Sequence, residues 1–266
     1  MNNSNLVYPS TAANAVTMTR HAISLNVSKS LYFAAQQCYQ RNALLMETRR
    51  GDAAVAPLLP AQKFLPHASS FSLNSINDQV LETNLLKEIA QGPVASEIRK
   101  MLGSEQISCD YDQAWIRRQY APHLYPPMHA PHGWHQDGAL GFDFSASQNI
   151  PRVTETLLPT VTCWIALTQC GADAPGLEFV TETIDELLYP NELTHRSIHS
   201  RYPSDSFWQP QMHAGDAAIF KGGTLHRTHV VEQMRSNRTS VELRFVASHE
   251  IPTRLLGDCF IALPDE

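Results

Sequence analysis

The residues with the clearest chemical potential lie in Gly133-Trp134-His135-Gln136-Asp137-Gly138, which sets an imidazole and a carboxylate two positions apart. On an extended chain residues 135 and 137 project from one face and Gln136 from the other, so a single metal ion can meet both. Two ligands from one strand end do not complete a site. A facial triad of two histidines and one carboxylate leaves about three positions of an Fe(II) octahedron open for cosubstrate and dioxygen, and so calls for a distant second histidine. His226 is the best placed, because Gly215-Asp216-Ala217-Ala218-Ile219-Phe220 reads as a turn feeding a strand just before it. His229 competes for the same role, since both histidines precede Arg238.

Arg238 follows His226 by twelve residues and is itself followed by Thr239 and Ser240. On a strand Arg238 and Ser240 face the same way, so a guanidinium fork and a hydroxyl converge as they must to grip a carboxylate bidentately. A metal triad beside a carboxylate clamp implies a chelating acid as cosubstrate. Arg244 lies on the same strand face and is the competing clamp, with pairing to Glu242 or another acid as its alternative role.

The elements that must position these groups are legible from periodicity. Leu31, Ala34, Ala35 and Cys38 recur at helical spacing, with Ser28 as a cap, and Arg41 to Met46 reads as a turn into a strand. Residues 50–75, rich in Ala and Pro, read as an ordered loop or a partial lid. Apolar positions from Val80 to Leu102 predict one or two helices, interrupted near Gly92-Pro93. Strands are then expected at 113–120, 160–168, 175–180, 217–220 and 239–246. Between 160 and 168, Val161, Cys163, Ile165 and Leu167 share one face, while Thr162, Trp164, Ala166 and Thr168 share the other, as suits a ligand-holding barrel. Residues 182–212, polar and aromatic, read as a long insertion above the barrel mouth.

These elements predict a mainly β protein with flanking helices around a jelly-roll core. The expected organisation is a single domain over 1–266, with helices and loops to about 110, the core over about 111–250, and the 182–212 insertion within it. The net charge is −6 and the pI about 6.0, which leaves no basic footprint for nucleic acid and no polybasic surface for anionic lipid. The odd set Cys38, Cys109, Cys163, Cys170 and Cys259 has no CxxC spacing, so these read as reduced, mostly buried thiols. With neither a signal-like start nor an apolar run of about 18 residues, a soluble cytoplasmic protein is expected.

At this point the motifs resemble a known family. The HxD of Trp134-His135-Gln136-Asp137, the Gly215-Asp216 turn, Leu225-His226-Arg227-Thr228 and Asn237-Arg238-Thr239-Ser240 look like the phytanoyl-CoA dioxygenase-like branch of the Fe(II)/2-oxoglutarate oxygenases. The resemblance is strong over 112–246. It is weaker over 28–48, where Gln40-Arg41-Asn42-Ala43-Leu44 has Ala in place of the usual Gly. It implies a double-stranded β-helix, iron held by His135, Asp137 and His226, and the distal carboxylate of 2-oxoglutarate held by Arg238. It also suggests Gln119 as a cosubstrate contact, against the reading of a structural amide, and Ser240 as a second contact, against that of an ordinary strand serine. Relatives that halogenate have Gly or Ala where this chain has Asp137, so hydroxylation or a related oxidation of a small-molecule metabolite, with dioxygen as oxidant, is the implied outcome.

Other residues carry two readings. His123, His129 and His132 are surface residues of a Pro-rich approach loop or substrate contacts, and Trp134 is packing. Tyr202, Phe207 and Trp208 form an apolar wall over the pocket or ordinary loop packing. The rival functions are a cupin-like metal enzyme without 2-oxoglutarate, which leaves Arg238 and Ser240 without a role, and a non-catalytic jelly-roll module, which has no need of an intact His-Asp-His set.

Overall fold

The computed structural model describes residues 15–48, 70–125, 130–139, 159–184, 186–251 and 260–264. In chain order these form β1 (Val16–Thr19), α1 (Leu25–Thr48), β2 (Ser70–Ser72), α2 (Gln79–Gln91), α3 (Pro93–Leu102), β3 (Ile107–Gln119), β4 (Val161–Ala166), β5 (Gly176–Val180), α4 (His195–Arg201), β6 (Phe207–Trp208), β7 (Ala217–Lys221), β8 (His226–His229), β9 (Arg238–Ala247) and β10 (Phe260–Ala262). The larger sheet has the antiparallel order β1-β7-β4-β9-β3-β10, with β2 also on β3, and the smaller is β6-β5-β8. The two sheets make the double-stranded β-helix.

Alternation along the strands decides which residues face the helices and which face the barrel. Val161, Cys163 and Ile165 of β4 and Val241, Leu243 and Phe245 of β9 join Leu31, Leu85, Ile89, Val94 and Ile98 of the helices in the main core. That layer fixes the larger sheet from outside. The opposite face of β4 puts Trp164 and Ala166 into a smaller apolar cluster with Leu177, Phe179 and Phe220, between the two sheets. Every residue of β9 is buried, so Arg238, Ser240, Glu242 and Arg244, which alternate with its core residues, are committed to the barrel interior.

The helix pair expected near Gly92-Pro93 is present, and Pro93 opens α3 at a position where its missing N–H costs nothing. The first helix differs from the expectation. It begins at Leu25, with the Ser24 hydroxyl accepting from the Val27 N–H at 3.2 Å, and runs through 41–46 to Thr48 where a turn and strand were expected. Ser28 is no cap but a buried residue inside it. The physical reason is that Asn42-Ala43-Leu44-Leu45-Met46 holds neither Gly nor Pro and four strong helix formers, so nothing interrupts propagation.

Of 50–75, the described end is β2 and a short helical turn over Leu73–Ile76, with Phe71 and Leu73 in the main core, so this part is ordered packing. The rest of that stretch, with His129 and Cys259, lies outside the described residues. The 182–212 insertion is only partly an excursion, because β6 pairs with β5 and Met212 bridges Cys170, closing the smaller sheet. The other four cysteines are buried and unpaired. Among the described residues no helix is long and apolar enough to cross a membrane.

Candidate metal centre

Backbone pairing brings the two halves of the site together. His135 and His226 exchange N–H···O=C bonds of 3.0 and 3.1 Å as an isolated antiparallel bridge. Asp137 then leaves the extended path as the first residue of a short 3₁₀ turn. This turn is held against the loop after β7, where the Gly138 N–H donates to the Gly222 carbonyl at 2.8 Å. A Cβ on Gly222 would meet the Thr160 hydroxyl at 2.5 Å and the Gly138 backbone at about 3.2 Å, so close approach explains this glycine.

The ligand atoms of His135, Asp137 and His226 all lie within 4.8 Å of one another. Asp137 Oδ1 stands 3.8 Å from Nε2 of each histidine. Each imidazole has its other nitrogen engaged, since His135 Nδ1–H donates to the Gly133 carbonyl at 2.8 Å and His226 Nδ1–H to the Thr224 carbonyl at 3.0 Å. These bonds fix the tautomer and leave both Nε2 lone pairs for a metal. Burial in particular, with the neighbouring His135, lowers the His226 pKa to about 4, so its ring is a neutral donor at ordinary pH. Burial alone would push the Asp137 carboxyl up, but the Arg244 guanidinium, both imidazoles and the Thr162 hydroxyl outweigh it and hold the group well below the carboxylate range.

The choice between His226 and His229 is made by strand alternation. His226 and His229 differ by an odd number of positions, so they face opposite sides of β8, and His229 sits with Glu178 and Arg227 on the outer face. Arg238 and Arg244 share a face but not a setting. Arg244 Nη2 is 3.2 Å from Asp137 Oδ1. Arg238 is 3% exposed, its guanidinium lies 4.9 Å over the Trp164 ring, and among the described residues its Nε and Nη1 have no hydrogen-bond partner. Ser240, fully buried, has an unpartnered hydroxyl, and Gln119 is buried directly across the β3/β9 ladder from Arg238. Buried polar atoms without partners are rare because each costs about 1–3 kcal/mol. A buried fork and hydroxyl left open on one inner face suit an anionic oxygen ligand.

His132 sits edge-on to His135 with ring centroids 5.6 Å apart, at the approach to the centre, and His123 lies in a separate short turn. Trp134 is packing, as expected, in a cluster with Tyr202, Val180, Leu188, Ile198 and Leu225. Tyr202 and Phe207 pack there as well, and Trp208 packs on Phe179, so these three are packing residues. Two contributors had no signal in the motif pattern. Gln136, 1% exposed, donates to the Glu186 and Gly223 carbonyls at 2.9 and 2.8 Å and accepts from the Leu188 N–H at 2.8 Å, tying the HxD stretch to the insertion and to the β7–β8 turn. Thr162 donates to Asp137 Oδ2 at 2.6 Å, which only its inward register on β4 could have suggested.

The fold is shared with solved structures that were determined with 2-oxoglutarate bound. EctD from S. alaskensis, in a structure with 2-oxoglutarate and 5-hydroxyectoine, superposes with a TM-score of 0.60 at 13% identity, covering 94% of this chain and 79% of that one. The epimerase SnoN, in complex with Fe3+, α-ketoglutarate and nogalamycin RO, gives 0.52 at 13% identity over 94% of each chain. EvdO2 from Micromonospora carbonacea var. aurantiaca, complexed with 2-oxoglutarate, gives 0.51 at 14% identity over 88% and 87%. No curated protein sequence matches the chain. The family model for phytanoyl-CoA dioxygenase matches residues 70–237, which holds the whole His-Asp-His set. The chain therefore belongs to the phytanoyl-CoA dioxygenase family, a branch of the Fe(II)- and 2-oxoglutarate-dependent oxygenases.

Proposed function

We propose that the chain works as one catalytic domain that hydroxylates, or otherwise oxidises, a small organic metabolite, with His135, Asp137 and His226 as iron ligands and Arg238, Ser240 and Gln119 as the 2-oxoglutarate site. The observation that carries this reading is the convergence of two free Nε2 lone pairs and one carboxylate oxygen on the inner face that also holds the unpartnered Arg238 fork. A cupin-like enzyme without 2-oxoglutarate would leave that buried cation unanswered. The bound 5-hydroxyectoine of EctD and nogalamycin RO of SnoN, both small organic molecules, support the substrate class.

Bound iron and 2-oxoglutarate supply the oxidising equivalents, with 2-oxoglutarate and dioxygen going to succinate, carbon dioxide and one oxygen atom for the substrate. The chain's own work is placement. His226 would present a neutral nitrogen, His135 its free Nε2 and Asp137 one carboxylate oxygen to the ion, and such a triad would leave about three positions for cosubstrate and dioxygen. Arg238 orients the cosubstrate by its far carboxylate, and Trp164, Phe179 and Phe220 beneath the centre exclude water. No side chain has to act as a nucleophile or general base.

The test is substrate-independent turnover of 2-oxoglutarate to succinate by the Fe(II)-loaded protein, together with Fe(II) affinity. His135→Ala, Asp137→Ala and His226→Ala are expected to abolish turnover and weaken Fe(II) binding, while His229→Ala retains both. Activity surviving in His226→Ala but lost in His229→Ala would overturn the ligand assignment.

A further inference from the structure

Asp137 is tethered at both carboxylate oxygens before any metal is considered. Oδ2 accepts the Thr162 hydroxyl at 2.6 Å, and Oδ1, the oxygen that faces both imidazoles at 3.8 Å, is 3.2 Å from Arg244 Nη2. Both tethers come from directly paired positions, since Thr162 on β4 is the ladder partner of Arg244 on β9. Arg244 is itself fixed. It is 5% exposed, and its Nη1 donates to the Gln113 carbonyl at 3.0 Å. That carbonyl is available because the β3/β9 register shifts between Asp110 and Trp115, so Gln113 stands outside the regular ladder. Irregularities of this kind recur beside functional sites, where they re-aim groups.

We infer that Arg244 is a positioning residue for the metal centre, holding the Asp137 carboxylate so that it offers one oxygen to the ion. This rests on the reading of His135, Asp137 and His226 as the metal ligands. Two effects of the guanidinium oppose each other. Its charge repels a divalent cation, which would make its removal tighten metal binding; its grip on Oδ1 preorganises the ligand, which would make removal loosen it. The grip wins because the charge is largely answered locally. Arg244 stands between Asp137 and Glu242, with Glu242 Oε2 3.9 Å from Nη2, so little net field reaches the ion. Loss of groups that orient a ligand costs roughly 10–100-fold in metal affinity.

Co(II), which is stable in air and reports its coordination through d–d absorption, is the probe. Arg244→Gln is expected to weaken Co(II) binding by roughly 10–100-fold and to change the band shape as Asp137 rotates and engages a second oxygen. Arg244→Lys, which keeps the charge but cannot hold Asp137 and the Gln113 carbonyl together, should bind with roughly three- to tenfold lower affinity than the wild type and with the wild-type band. Unchanged or tighter binding by Arg244→Gln overturns the inference. If that variant does not fold, Arg244→Lys decides, weakened binding supporting the inference and wild-type or tighter binding overturning it. His226→Ala separates this from the underlying reading, because Co(II) binding that survives it refutes the metal site itself, whereas its loss alongside normal Arg244 variants refutes only the role of Arg244.

Discussion

At the scale of single residues, Arg238 is the most informative side chain, because it is costly where it stands. Burial pulls its pKa below the guanidinium value even with Cys170 and Glu242 nearby to oppose that, and among the described residues two of its nitrogens have no hydrogen-bond partner. A buried cation without an anion destabilises a fold, and replacing it by an apolar residue of similar volume is often stabilising by about 1–4 kcal/mol. Arg238→Met is therefore expected to raise the melting temperature of the cofactor-free protein. It should also weaken 2-oxoglutarate binding by roughly 30-fold or more, because losing a desolvated charge pair costs about 2–5 kcal/mol. Thermal unfolding without ligand and anaerobic titration of the Fe(II) protein, followed by its charge-transfer band, measure the two effects. A variant that melts lower and titrates normally would make Arg238 a structural residue. Ser240 shares the diagnosis on a smaller scale, with a neutral hydroxyl in place of a charge.

At the scale of elements, the Gly215-Asp216 turn has a role distinct from chemistry. Asp216 is 1% exposed and accepts from the Arg20 guanidinium, from the His21 N–H at 3.1 Å and from the His213 N–H at 2.8 Å. It thereby ties the chain leaving β1 to the turn that starts β7, its ladder partner. The turn needs Gly215, whose φ of +90° and close approach to the Ile23 carbonyl exclude a side chain. Asp216→Ala strands these donors, and with Arg20 partly exposed the loss should be about 2–4 kcal/mol. For a chain of this length that corresponds to a fall of roughly 4–16 °C in melting temperature. Co(II) affinity should stay at the wild-type value, because the turn does not touch the triad. An Asp216→Ala protein that melts normally would leave β1 anchored by its ladder bonds alone. Gln136 is the corresponding device on the other side of the barrel, a single amide linking three backbone segments around the metal strand.

For the whole molecule, the charge that matters is local. The protein carries −6 overall, yet among the described residues the inner faces of β3 and β9 bring together Arg117, Arg238 and Arg244 against Glu242 and the neighbouring Asp137. A dianionic acid is thus attracted to the interior of an acidic protein. The pH dependence of stability follows from the same burial. The His226 pKa is about 4 in the folded metal-free protein against 6.5 ordinarily, so between those values the unfolded chain binds a proton that the folded one refuses. Stability from this group is complete above about pH 6.5 and is lost as pH falls toward 4, by up to about 3 kcal/mol. Glu242, depressed mainly by Arg117 and Arg244 against its burial, adds a loss of the same sign only at lower pH. The diagnostic window is therefore pH 6.5 to 5. Melting temperatures of the metal-free protein should fall across it, and His226→Gln should reduce the slope, the remainder falling to His132, whose pKa burial likewise lowers to about 4. An equal slope in both proteins would assign the effect elsewhere.

Short-range rules made β3, β4, β5, β7 and β9 and the candidate chemistry legible in the sequence, whereas β8, the short strand that carries His226, was not. Period-two alternation separates Val161, Cys163 and Ile165 from Thr162, Trp164 and Ala166 wherever the strand is paired, and His-x-Asp, the Gly-Asp turn and Arg-x-Ser are spacings of one or two residues. The run through 41–46 extends the helix rather than turning into a strand, because its own residues favour helix and the preceding turns, packed on α2 and the sheet, supply the start from which it propagates. The partners of each inward-facing group could not be read at all. Arg238 and Arg244 are equivalent in sequence, two arginines on one strand face. What distinguishes them is that β4 places Thr162 beside Arg244, and the Gly138–Gly222 contact brings Asp137 there as well, while among the described residues no carboxylate hydrogen-bonds to the open nitrogens of Arg238. Which cation meets a carboxylate depends on contacts between segments more than a hundred residues apart, as Asp137 and Arg244 are, and only the folded chain sets those distances.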